Sequence, residues 1–148
     1  MCRCARLIGA IVSLEQVSDN TLGGKAYGLS RLLAMGLAVP PAFVIRGAQS
    51  GSYPDDLDQH YRALGCDKVA VRSSAQGEDG ADASFAGQYD TVLNVADASQ
   101  LRRAIDHCVA SAATDRARSY QEDKLNAGAA TMNVVVQRMV DARVAGVV

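Results

Sequence analysis

Imidazole, net charge and uninterrupted apolar length are all scarce in this 148-residue sequence. Its two histidines, His60 and His107, accompany four cysteines, Cys2, Cys4, Cys66 and Cys108, and no CxxC pair repeats at zinc-site spacing. A zinc module built on such pairs is thereby excluded, and the cysteines read as reduced thiols of a cytoplasmic protein. Cys2 and Cys4 form a CxC that could hold a soft metal with outside help, or could simply belong to an N-terminal tail. Fifteen Lys and Arg against sixteen Asp and Glu leave a net charge of -1 and a pI near 6.1. That balance supplies no general basic field for nucleic-acid phosphates or anionic lipid. The apolar stretch Leu7 to Val12 is too short to cross a bilayer, and no small-residue cleavage site follows it before Glu15. No nucleic acid, no membrane and no export are therefore expected. Internal repeats and low-complexity runs are absent as well.

What is present is an ordinary globular composition, 49% hydrophobic and 21% charged, with length for one domain and its core. An anion bound by such a chain must be held by a few local groups. The spacing predicts a helix from about Leu22 to Met35, capped at Asn20 or Thr21 and ended by Gly36, with Leu22, Ala26, Leu29, Leu32 and Leu33 as its apolar stripe. Phe43 to Ile45 reads as a strand, Leu57 to Leu64 as two helical turns, and Lys68 to Arg72 and Tyr89 to Val95 as strands. Asp97 to Gln100 resembles a capping box for a helix that buries Leu101, Ala104, Ile105, Cys108 and Val109. A separate helix is expected over Asp115 to Lys124. The strongest strand candidate is Asn133 to Val140, and Val144 to Val148 suggests the start of another. Interleaved helices and strands predict an α+β or mixed α/β fold, with an N-terminal segment over 1–20 and one domain over 21–148.

Three stretches could carry chemistry. Gly23, Gly24 and Lys25 open the first helix, where backbone N–H groups and the helix dipole favour an anion. Asp19 and Ala26 exclude a Walker A loop, and the residues alone leave open a plain turn with a solvated lysine. Arg72 ends a strand and enters a loop of small residues, a placement suited to bidentate phosphate contact or to a salt bridge with Glu78, Asp79 or Asp82. Ser73 to Gln88, with Gly77, Gly80 and Gly87, has the composition of a phosphate-covering loop or of an ordinary surface loop, and Phe85 within it needs a packing partner. Gln137 and Met139 share one face of the strong strand, as a purine-binding edge or as plain core.

In order, LGGKAYGLSRLLAMGLAVPPAFVI, VAVRSSAQGEDGADASFAGQYDTVLNV, RRAIDHCVASAATDRARSY and NVVVQRMVDARVAGVV resemble the nucleotide-binding module of the pyruvate, phosphate dikinase and phosphoenolpyruvate synthase family. The resemblance implies the N-terminal portion of an ATP-grasp-like fold. It implies that Lys25 and Arg72 contact and polarise ATP phosphates as catalytic residues. Gly23, Gly24, Ser73, Ser74 and Gly87 would complete the phosphate site, and Gln137, Met139 and Val140 would line the adenine pocket. In that family ATP yields AMP in two phosphoryl transfers, and a mobile histidine domain serves pyruvate or another acceptor; rifamycin phosphotransferases share the module. Gln76, Gly77, Gly80 and Ala81 depart from the synthase loop, and the stretch from Ile45 to Lys68 is shorter than in the synthases. The sequence up to Val148 contains no segment resembling the family's acidic magnesium ligands, so Mg2+ is expected to be held outside this chain. An incomplete module is therefore expected, working with a separately encoded remainder or as a homo-oligomer. A non-catalytic nucleotide-binding remnant and a regulatory or interaction module are the alternatives.

Overall fold

The computed structural model describes residues 9–75, 90–119 and 132–144, without the side chains of 114–119. Strands β1 (Ala10–Ser13), β2 (Ala42–Ala48), β3 (Val69–Ser74), β4 (Thr91–Val95) and β5 (Met132–Arg138) form one sheet in the order β1-β2-β5-β3-β4. Every ladder is antiparallel. With helices α1 (Gly24–Ala34), α2 (Leu57–Ala63) and α3 (Ala98–Ser119), the fold is α+β, its sheet antiparallel throughout rather than mixed.

The central strand explains itself by composition. Val134, Val135 and Val136 are all fully buried, because both faces of β5 are covered and alternation is lost where neither face meets water. On one face Val134 and Val136 join Phe43, Ile45, Val69 and Val71 beneath Leu101, Ala104, Ile105 and Cys108 of α3 and Leu57 of α2. On the other, Val44 and Val135 pack with Leu14, Val17, Leu22 and Ala26. The apolar stretch from Leu7 to Val12 runs into β1, which pairs with β2 from Ala10 to Ser13.

Of the boundaries that differ from the sequence expectation, three do so for a local reason. Residues Asn20–Leu22 form a 3-10 turn whose Thr21 N–H and hydroxyl both donate to Asp19 Oδ1, at 2.9 and 2.6 Å. The cap of α1 therefore falls on Gly23 rather than on Asn20 or Thr21. Residues 115–119 continue α3 instead of starting a second helix, since no Gly or Pro interrupts Ala98–Ser119. Strand β5 stops at Arg138; Met139 N–H still donates to Lys68 O at 3.0 Å, but Val140 is 63% exposed. The expected ends hold where chemistry is local. Gly36 takes φ +79 after α1, with Leu37 N–H bonding Leu32 O and Gly36 N–H bonding Leu33 O. Gln100 N–H donates to Asp97 Oδ1 at 2.7 Å, and Gln100 Oε1 accepts from Ala96 N–H at 3.1 Å, closing the start of α3. No helix among the described residues is long and apolar enough to cross a membrane.

Candidate functional site

The GGK and VRSS segments, 48 residues apart, meet at the C-terminal end of β3. Gly23 approaches Ser74 so closely that a Cβ there would stand 2.4 Å from its Oγ. Ser74, fully buried, donates its hydroxyl to Leu22 O at 2.9 Å and accepts from Ala26 N–H at 3.2 Å. Gly24 N–H donates to Ala75 O at 3.1 Å. Two amides of the first helical turn are thus spent on the end of β3 and the residue that follows it, instead of standing free as the sequence suggested. What remains there is charge: the Lys25 ammonium donates to Ser73 O at 3.1 Å, beside the strand that carries Arg72. Ser73 is 1% exposed, and its hydroxyl has no hydrogen-bond partner among the described residues.

Arg72 pairs in register with Val135 on one side and Thr91 on the other, which puts its side chain on the α1 side of the sheet with Ala70 and Gln137. Helix α1 and the 3-10 turns cover that side over β1, β2 and β5. Over β3 and β4 the described residues leave part of it accessible: Ala70 is buried, but Arg72 is half-buried, Thr91 is exposed and Leu93 is 55% exposed. No carboxylate pairs with Arg72 among the described residues; Glu78, Asp79 and Asp82, its possible salt-bridge partners by sequence, lie outside them, as do Gly87 and the loop around it. Beneath, burial pushes the Cys108 thiol up to about 11; Asp90 adds to the rise, while the Ser73 backbone and the Lys25 charge oppose it.

The residues expected at a base separate. Met139 and Val140 help line a hollow of about 480 Å³ with Cys66, Lys68, Asn94 and Arg138. Gln137 does not line it; its Nε2 donates to Pro40 O at 3.3 Å. Ser73 pairs with Val134, so Met139 lies five residues farther along the ladder, roughly 17 Å at ~3.4 Å per residue. Lys25 and Arg72 stand at one end of β3 and the hollow, which Lys68 and Arg138 also line, at the other, a span suited to an extended nucleotide. Lys68, Asn94 and the open face of Thr91 and Leu93 escaped the sequence reading. Alternation in β4 would have put Thr91 beside Arg72, but Asn94 reaches the hollow only through an irregularity in that strand. Among the described residues no group of three or more His, Cys, Asp or Glu is placed to hold a metal ion.

Residues 51–148 match the family described as pyruvate phosphate dikinase, AMP/ATP-binding domain. A prodigiosin synthesizing transferase, PigC, from Serratia marcescens is 38% identical over 166 aligned residues, covering 90% of this chain and 18% of that protein. A phosphoenolpyruvate synthase from Aeropyrum pernix is 31% identical over 194 residues, covering 93% of this chain and 24% of the synthase. That alignment is longer than the chain, so the synthase carries insertions relative to it. A rifampicin phosphotransferase from a Streptomyces species is 47% identical over 79 residues, 53% of this chain and 9% of the relative. The chain spans about a fifth of the length of the first two relatives.

Proposed function

This chain belongs to the pyruvate phosphate dikinase AMP/ATP-binding domain family, and from that premise we propose that the open side of β3 and β4 binds ATP. The single observation carrying this reading is the meeting of Lys25 with the Arg72-bearing end of β3. Lys25 contributes a compact positive charge, and Arg72 a planar fork able to hold two phosphate oxygens. Gly23 and Gly24 allow the approach that puts Lys25 there, Ser73 and Ser74 shape the strand end, and Gly87, outside the described residues, is assigned with them to the phosphate site. Met139 and Val140 line the base subsite, with Gln137 on the strand leading into it. The fold is then the first portion of an ATP-grasp type domain.

In this reading the chain supplies the ATP-binding part of a phosphotransferase that uses ATP as donor toward pyruvate or another small acceptor. The relatives named as phosphoenolpyruvate synthase and rifampicin phosphotransferase support the donor side and leave the acceptor open. Magnesium, expected with ATP, has no ligand cluster among the described residues. What these residues do is bind and orient: Lys25 and Arg72 neutralise phosphate charge, and the strand ladder fixes their separation from the base hollow.

Titration calorimetry of the full chain with Mg-ATP tests the proposal. Binding is expected, and Lys25→Ala and Arg72→Ala should each weaken it by about tenfold, the scale of losing a hydrogen bond to a charged group. No heat with the chain overturns the reading; unchanged affinity in both variants overturns the site.

A further inference from the structure

We propose that Asn94 is a positioning residue for the base subsite, holding the Met139 thioether in the wall that faces the purine. The inference rests on the nucleotide reading above. Its starting point is a register shift: Val95 pairs with Val69 but Val92 with Val71, so β4 carries one residue more than the β3 segment opposite. Such a bulge re-aims a backbone group that a regular ladder would point at its neighbour or at solvent. Here the extra residue falls at Leu93–Asn94, and Asn94 takes φ +59, the one positive φ at a non-glycine among the described residues. Asparagine is among the few side chains that tolerate this left-handed conformation.

The re-aimed group has a target. Asn94 N–H donates to Met139 Sδ at 3.1 Å, while Met139 N–H is fixed on Lys68 O at 3.0 Å. Backbone and side chain of Met139 are thus anchored independently, on Lys68 just before β3 and on Asn94 of β4. A methionine with three rotatable bonds ordinarily samples several positions, and its polarisable sulfur packs well against flat rings. Anchoring it removes that freedom on the wall of the 480 Å³ hollow, which Asn94 and Met139 line together. A bulge serving only to twist an edge strand would not need its amide on a side chain across β3. Strained backbone next to a ligand hollow is where proteins place such devices.

The test follows the 13C-labelled Met139 methyl by NMR while ATP or inorganic tripolyphosphate is titrated into the full chain. ATP should shift the methyl signal, and tripolyphosphate, which lacks a base, should leave it in place. Asn94→Val, β-branched and ill suited to φ +59, should move the methyl signal of the free chain and weaken ATP about tenfold more than tripolyphosphate, the size of a left-handed penalty read as affinity. Asn94→Gly, which adopts that backbone without strain, should recover most of both effects. If the wild-type chain binds ATP calorimetrically but the Met139 methyl stays in place, or if Asn94→Val weakens both ligands alike, this inference fails and the nucleotide reading stands. If the chain binds neither ligand, the nucleotide reading fails and takes this one with it.

Discussion

Gly23 shows how much of the phosphate end depends on one missing methyl group. At φ +93, with 2.4 Å between an added Cβ and Ser74 Oγ and 2.5 Å to the Ser74 carbonyl carbon, no larger residue fits without moving α1 off β3. Gly23→Ala is expected to cost about 3 kcal/mol of unfolding free energy, combining a left-handed penalty with overpacking, as read by urea denaturation. Ser74→Ala should cost roughly 1–3 kcal/mol, because Ala26 N–H and Leu22 O would lose their buried partner. The GG doublet is visible in the sequence as a helix-start signal, but its contact partner is not. Ser74 lies 52 residues from Leu22, and hydrophobic spacing carries no information about which strand end a glycine touches. Cys108 offers a chemical reading of the same packing. Burial raises its thiol to about 11, so at pH 8 iodoacetamide should modify the half-buried Cys66 well before Cys108, and peptide mass mapping of native protein checks the order.

Between elements, α3 is held to the connection that follows β2 and to the first turn of α2 by pairs no local pattern announces. Tyr53 Oη donates to Asp106 Oδ2 at 2.6 Å and Gly51 N–H to Asp106 Oδ1 at 3.0 Å, while Arg102 bonds Asp58 at 3.0 Å. The Gly-, Ser-, Pro- and Asp-rich stretch from Arg46 to Asp58 reads as a plain surface connection because its partners lie 44 to 55 residues away on the next long helix. By contrast the start of α3 is legible, since Asp97 and Gln100 close a box within a few residues. Partial burial raises the Asp106 pKa, but the hydrogen bonds from Tyr53, Gly51 and Ser50 outweigh it and hold it below the ordinary 3.8. The Arg102 hydrogen bond holds Asp58 below 3.8 as well. A depressed folded-state pKa stabilises above the unfolded value, and the contribution is lost as pH falls through the folded one. The urea midpoint should therefore hold from neutral pH down to near 3.8 and fall below it. Asp106→Asn should start lower and show a shallower acid decline, measured as midpoint against pH.

At the scale of the molecule, the fold class and most elements are readable because strand composition, caps and Gly36 act locally, whereas strand order is not. Nothing in the valine run of β5 says that it lies between β2 and β3, and its lack of alternation conceals which of its residues face α1 and which face α3. The candidate site divides the same way. The Lys25 ammonium reaches the backbone of Ser73, next to Arg72 in the chain, while Gln137 parts from Met139 because β5 ends between them.

Strand order also sets a timetable. The middle strand of the sheet is the last of the described strands to leave a ribosome, so β1–β2 and β3–β4 emerge first as two separate hairpin-like pairs, each with an inner edge unpaired. Such edges invite pairing with other chains, and their mutual contact waits on residues 132–138. Nascent chains arrested before β5 is exposed should remain sensitive to protease in both halves, and protection of the two should appear together, in one step, once β5 has cleared the exit. The valines that make β5 the centre of the finished sheet also make it the closing piece of synthesis, and a substitution such as Val135→Asp should lower the yield of soluble chain more than its folded-state stability alone would predict.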